Sequence, residues 1–218
     1  MNPMPSVEVN GSTIHVLGVV KGLVAESKKV EEAISTFGPE AVGLSVSKEE
    51  LAALKVKEDY SKYEMSTLEE VYSVYVESFG PVALPTPAYV RAMELCEERT
   101  IPILPLDMND EEYTEAYCER IGAMEIARES FFTRSIARKK FDISSPEAFA
   151  LDWDRRINKA KGFRELEDDR VRHMASALEA MTSKYKVILA VVEYEKEEGV
   201  LETLRSTGAR TGRAGTRS

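Results

Sequence analysis

The segment IHVLGVVKGLVAESKKVEEAISTFGPEAVGLSV, residues 14–46, sets the architecture. Ile14 to Val20 is a continuous apolar run rich in β-branched residues, the composition of a strand covered on both faces. The period then becomes helical: Val30, Ala33, Ile34 and Phe37 share one stripe, and Gly38-Pro39 stops it. Ala41 to Val46 is a second apolar run of the first kind. A strand, a helix and a strand in this order form a βα unit leading into a parallel neighbour. Two further runs, Ile101 to Leu104 and Val187 to Val192, extend the pattern. Val7 to Val9, turned back into Ile14 to Val20 by Asn10-Gly11, adds an antiparallel edge strand. The expected fold is α/β, with a mixed, mainly parallel sheet covered by helices.

The connections carry their own signals. Ser47 with Glu50, and Ser66 with Glu69, have the spacing of capping boxes. The second opens a stripe of Leu68, Val71, Tyr72, Tyr75 and Phe79 that ends at Gly80-Pro81, after a polar connection from Lys55 to Glu64. Pro87 opens a helix through about Glu98. From Asn109 or Asp110 a helical pattern runs unbroken to about Asp142, with Tyr113, Tyr117, Ile121, Met124 and Phe131 near heptad spacing. Its start is acidic and its end (Arg134, Arg138, Lys139, Lys140) is basic, a polarity that complements the helix dipole. Ser145-Pro146-Glu147 begins another helix leading to Trp153, a packing anchor. Residues 109–162 therefore read as a helical insertion between the third and last main strands.

In the helix expected from Arg164 to Met181, the residues Leu166, Arg170, Met174, Ala177 and Met181 fall within a sector of about 80°. Arg170 thus points toward the core. It needs a carboxylate or an anion there, or a local partner in Glu167 or Asp169. His173 shares the sector and reads as a core histidine. A last helix is expected from Lys196 to Arg205. The organisation is then one α/β domain over residues 1–204 and a flexible basic tail over 205–218.

The chain has 218 residues, with 29 Lys and Arg against 38 Asp and Glu, for a net charge of −9. That excludes a generally basic nucleic-acid binder. The last fourteen residues hold four Arg and no acid, so the remaining 204 carry −13. Only weak, salt-sensitive contact with nucleic acid is expected, and only from that tail. Cys96 and Cys118 lack the spacing of a zinc or disulfide framework. The N-terminus has no signal-peptide pattern and no apolar run is long enough to cross a membrane, so a cytoplasmic protein without membrane contact is expected. The sequence contains no HExxH, GxSxG, GxxxxGK[ST] or GxGxxG.

In an α/β sheet, ligands bind beyond the carboxyl ends of the strands. Those ends read Gly18-Val-Val-Lys21, Leu44-Ser45-Val46, Leu106-Asp107-Met108 and Val192-Glu193-Tyr194-Glu195-Lys196. In the order and spacing of IHVLGVVKGL, PEAVGLSVSKEELAAL, RAMELCEERTIPILPLDMND and DDRVRHMASALEAMTSKYKVILAVVEYEKEEGV, the chain resembles the TraB/PrgY-like family. That family is related to the Tiki-type metalloproteases and more distantly to the ChaN and erythromycin-esterase proteins. The resemblance covers most of residues 13–204. It implies a G-x-x-H turn after the first and last main strands, a glutamate after the second strand, an Asp-Arg after the third, and a Glu-Arg pair on the following helix.

Here the two histidines fall on Lys21 and Lys196, the second glycine on Glu193, the glutamate on Ser45 and the arginine on Met108. Gly18, Asp107 and Arg170 stand as the pattern has them, and Asp169 shortens its glutamate. A lysine ammonium has no lone pair for a metal. The resemblance with these departures therefore implies a pseudoenzyme without metal or other cofactor, acting as a binding or regulatory protein. Two alternatives stand beside it: a peptidase-like hydrolase with a rearranged site, and a protein that binds a small anion or peptide terminus through Lys21, Arg170 and Lys196. The candidate site is Gly18, Lys21, Ser45, Asp107, Arg170, Glu193 and Lys196, whose opposite charges can also neutralise one another as a purely structural network. The stripe in residues 109–141 adds the possibility of a homodimer seam.

Overall fold

The computed structural model describes residues 4–56, 64–136 and 138–214, and among them it is an α/β protein built on a five-stranded sheet. Strands β1 (Ser6–Val9), β2 (Ser12–Val19), β3 (Ala41–Leu44), β4 (Ile103–Pro105) and β5 (Val187–Glu193) lie in the order β1-β2-β5-β3-β4. Only the β1–β2 hairpin is antiparallel; β2–β5, β5–β3 and β3–β4 are parallel. The hairpin turns through Asn10 and Gly11, both at positive φ. These are the two-residue turn geometry and residue types that match the twist of paired strands.

Helices cover both faces, and the two-residue period of β5 shows how. Leu189 and Val191 pack with helices α1 (Glu26–Phe37), α2 (Lys48–Lys55) and α4 (Pro87–Arg99). Ile188, Ala190 and Val192 pack on the other side with α8 (Lys161–Met181) and α9 (Tyr194–Ala214). Because both faces are buried, the strand is apolar at every position and shows no alternation in sequence. A third cluster, in which Tyr72 and Val76 of α3 (Thr67–Glu77) and Phe149 and Trp153 of α7 (Pro146–Ile157) meet Val20 and Leu23, closes the end of the sheet where β2 finishes. Trp153 is the anchor expected of it. Both expected capping boxes form, at Ser47 with Glu50 and at Ser66 with Glu69. Gly38 ends α1 with φ 53°, a left-handed conformation that only a residue without Cβ adopts freely.

Three expectations change. The helix expected from Asn109 to Asp142 is two helices, α5 (Asp110–Arg120) and α6 (Ala123–Ile136), separated by Ile121 in an extended conformation and Gly122. The break has a tertiary cause. Gly162, at the start of α8, comes so close to the Arg120 carbonyl that a Cβ would overlap it, and Glu125 accepts hydrogen bonds from both the Gly122 N–H (3.0 Å) and the Gly162 N–H (2.5 Å). The last helix starts at Tyr194, directly on β5, and continues to Ala214, so residues 205–214, expected as a tail, are helical; 215–218 lie outside the described residues. Most of the polar connection between Lys55 and Glu64 also lies outside them. His173 is half-buried on the surface of α8, 4.0 Å from Glu112, and is not part of the core.

Candidate functional site

Parallel pairing brings the carboxyl ends of β2, β5, β3 and β4 to one edge, with Val19 beside Glu193, and Leu44 between Val191 and Pro105. The residue that follows each strand therefore faces the same region. Ser45 is buried after β3; its hydroxyl lies 2.7 Å from the Tyr89 hydroxyl and accepts the Glu193 N–H at 3.3 Å. Asp107 follows β4, held by its own N–H donating to the Val46 carbonyl at 3.1 Å.

The charged groups at this edge form a chain of alternating sign. Arg170, reaching across from α8, donates through Nε to Asp107 Oδ2 at 3.1 Å and through Nη2 to the same oxygen, while its Nη1 donates to Glu167 Oε1 at 2.9 Å. Glu167 Oε2 in turn lies 2.7 Å from the Lys196 ammonium. The face of the Tyr113 ring is 5.9 Å from the Arg170 guanidinium. Arg170 thus has both of the partners expected as alternatives: a distant carboxylate and a neighbour one turn away. Asp169 points elsewhere, to Arg120 and Arg172.

The electrostatics follow from burial opposed by charge. Burial pushes the Glu193 carboxyl up, but Lys196, Arg170 and Lys21 together hold it below the usual range. Glu167 is likewise raised by burial and lowered by more, through Lys196 and Arg170. Lys196 would be made easier to deprotonate by burial, yet Glu193 and Glu167 outweigh this and raise it. Glu195 has no such compensation: burial and the neighbouring Glu193 leave it raised to about 7, despite Lys196. One buried carboxyl is therefore ionised, and another close by titrates near neutrality. The Oε2 atoms of both are closed to solvent and have no hydrogen-bond partner among the described residues.

Of the expected site residues, Ser45, Asp107, Arg170, Glu193 and Lys196 are brought together. Lys21 stands at the margin, exposed and with no ion-pair partner among the described residues. Gly18 serves packing, because a Cβ there would lie 2.5 Å from Glu197 Oε2 and 3.1 Å from the Tyr194 Cα, where α9 crosses β2. Two participants carry no sequence signal: Tyr89, buried among apolar residues of α4, and the bridging position of Glu167 between two cations. An i, i+3 spacing announces the Glu167 contact with Arg170 but not the one with Lys196.

Among the described residues, no three His, Cys, Asp or Glu side chains are grouped so as to hold a metal ion. The position that the TraB/PrgY resemblance gives to a histidine ligand holds the Lys196 ammonium, a donor that repels a metal cation, so these residues do not fit a metal. A groove of about 570 Å³ between α2, α4 and β4, floored by Leu54, Met93 and Ile103, shares no residue with the charged chain. No helix among the described residues is long and apolar enough to cross a membrane. No family model and no curated protein matches this chain.

Proposed function

We propose that the chain is a divergent TraB-like pseudoenzyme, a cytoplasmic binding or regulatory protein in which an internal cation takes over the electrostatic part of a lost metal site. The observation that carries this reading is the Lys196 ammonium, set 2.7 Å from Glu167 and stabilised by the charge of Glu193. Carboxylates left without a counter-ion in a dry site destabilise a fold by several kcal/mol. An ammonium on a helix of the same chain supplies that counter-ion permanently. Free Cys96 and Cys118 are consistent with a reducing compartment.

The geometry favours this over both alternatives. A small anion would have to displace Glu167 or Asp107 from cations to which they are already hydrogen-bonded, which leaves only Lys21 free. A hydrolase would need Glu193 or Glu195 to reach a substrate, and the unpaired oxygens of both are sealed. Metal analysis of the purified protein, combined with a broad peptidase and esterase panel, tests the reading. The expected result is no stoichiometric metal and no turnover. One equivalent of retained zinc or manganese, or hydrolysis that Asp107→Ala abolishes, would overturn it.

A further inference from the structure

Helix α5 is attached to the rest of the protein unlike its neighbours. Its sequence, DEEYTEAYCER, holds no Leu, Ile, Val, Met or Phe, and none of its side chains is buried, whereas α1, α2, α3, α4, α7 and α8 each bury at least one. The apolar face that stabilises most helices in proteins is missing, and 11 residues are too few for a helix to persist on propensity alone. Asn109 and Glu112 cap its start. Beyond that, a line of side chains holds it to α8. The Tyr113 ring lies 5.9 Å from the Arg170 guanidinium, the Tyr117 ring 6.4 Å from that of Phe163, and Arg120 Nε donates to Asp169 Oδ2 at 2.8 Å. Positions 113, 117 and 120 fall on one helix face. All six partners are at least partly exposed, so each contact is a surface contact of small worth.

The ends of α5 differ from its middle. Leu106 and Asp107 before the helix, and Ile121 after it, are buried. Asn109 and Ile121, at its boundaries, have extended backbones, and such element-terminal residues are where a rotation is absorbed. The middle covers the charged chain. The Tyr113 phenol is raised by burial, lowered by Arg170 and raised further by Glu167 and Asp107, so it stands in the field of three members of that chain.

We infer that α5 is a lid: it lifts from α8 as a unit between its pinned ends and uncovers the Arg170, Asp107 and Glu167 end of the charged chain. Opening breaks little. Arg170 keeps Asp107 and Glu167, Glu167 keeps Lys196, and Asp169 keeps Arg172, so none of them is left without a counter-ion. The frame stays in place, because α8 buries Leu166, Met174 and Leu178. A helix with few buried contacts belongs to the least stable part of a structure, from which lids are drawn. Access to the charged chain is then set by α5 rather than by the chain's own pairing.

Hydrogen–deuterium exchange of the full chain, with mass-spectrometric mapping of phenylglyoxal adducts on arginine, tests this in the wild type and in Arg120→Gln, which leaves helix propensity nearly unchanged. Arg120 is partly exposed and about 10 Å along α5 from Tyr113, so its loss reaches Arg170 only if the helix moves as a unit. In the wild type, amides from Thr114 to Arg120 are expected to exchange at least about tenfold faster than those from Leu166 to Met174 of α8. In Arg120→Gln, α5 exchange and Arg170 modification are both expected to rise by the same factor, roughly two- to fivefold, with α8 exchange unchanged. Equal exchange of α5 and α8 in the wild type, or a variant indistinguishable from it, would overturn the proposal. So would faster α5 exchange with Arg170 reactivity unchanged, the mark of a helix that frays without covering the site, or a rise shared by α8, the mark of global destabilisation. Neither readout involves metal or turnover, so the result is independent of whether the chain is a pseudoenzyme.

Discussion

Replacing Lys196 by Met removes the one cation besides Arg170 that, among the described residues, lies within hydrogen-bonding distance of Glu167, and the positive charge that does most to hold Glu193 low. The side chain is 6% exposed, and Met fills a similar volume, so the perturbation is electrostatic rather than steric. Removing one partner of a buried ion pair costs about 3–5 kcal/mol, because the remaining charge stays desolvated. In a chain of this length each kcal/mol is worth roughly 2–4 °C, giving a fall in melting temperature of about 6–20 °C. The pH dependence carries the more specific test. Lys196 has a raised pKa in the folded state, so its own contribution is fully present below the unfolded lysine value and does not change between pH 5 and 8. Glu193 and Glu167, which Lys196 holds low, behave otherwise. Without the ammonium they protonate in the folded state at mildly acidic pH, which relieves the desolvated charge. Urea unfolding of wild type and Lys196→Met at pH 8 and pH 5.5 should therefore show a deficit that shrinks at the lower pH. A loss under about 1 kcal/mol at pH 8, the worth of an exposed pair, would refute the reasoning, as would a deficit that grows with acid.

Two further perturbations bear on neighbouring features. Glu195→Gln should match the wild type near pH 5 and exceed it at pH 8. A folded carboxyl raised to about 7 binds its proton more tightly than the unfolded one, so wild-type stability falls as pH rises from the ordinary glutamate value through 7, by up to about 3 kcal/mol; parallel pH–stability curves would contradict this. Gly162→Ala should lower stability by about 1–2 kcal/mol in chemical denaturation, because the added methyl overlaps the Arg120 carbonyl and separates the end of α5 from the start of α8; a gain, as helix propensity alone predicts, would show that this contact yields freely.

The breaks and turns that local chemistry controls were legible. Asn10-Gly11, Gly38, and the Ser47 and Ser66 boxes appear where the residues put them, because a positive φ or a capped N–H is decided within four residues of chain. Gly122 was not legible as a break. A lone glycine inside a good helical pattern is a weak signal, and what separates α5 from α6 is the approach of Gly162, some forty residues later. The end of α9 was missed for the opposite reason: Arg, Ala and Thr around Gly208 and Gly212 read as low complexity, yet the helix continues through them from a packed first half anchored by Val200, Leu201 and Leu204.

For the candidate site, sequence by itself determined which residues end the strands and that Arg170 points inward, since strand period and helix sector are properties of the local chain. Tertiary structure alone decided their pairing. Asp107 and Arg170 are sixty-three residues apart, and Glu167 and Lys196 belong to different helices that meet only because α8 and α9 pack on the same face of the sheet. Coulomb energy depends on distance and on the exclusion of water, and neither is a property of a residue's identity. The sequence therefore shows that Lys21 and Lys196 are lysines; only the fold makes one an exposed marginal charge and the other the buried centre of a network.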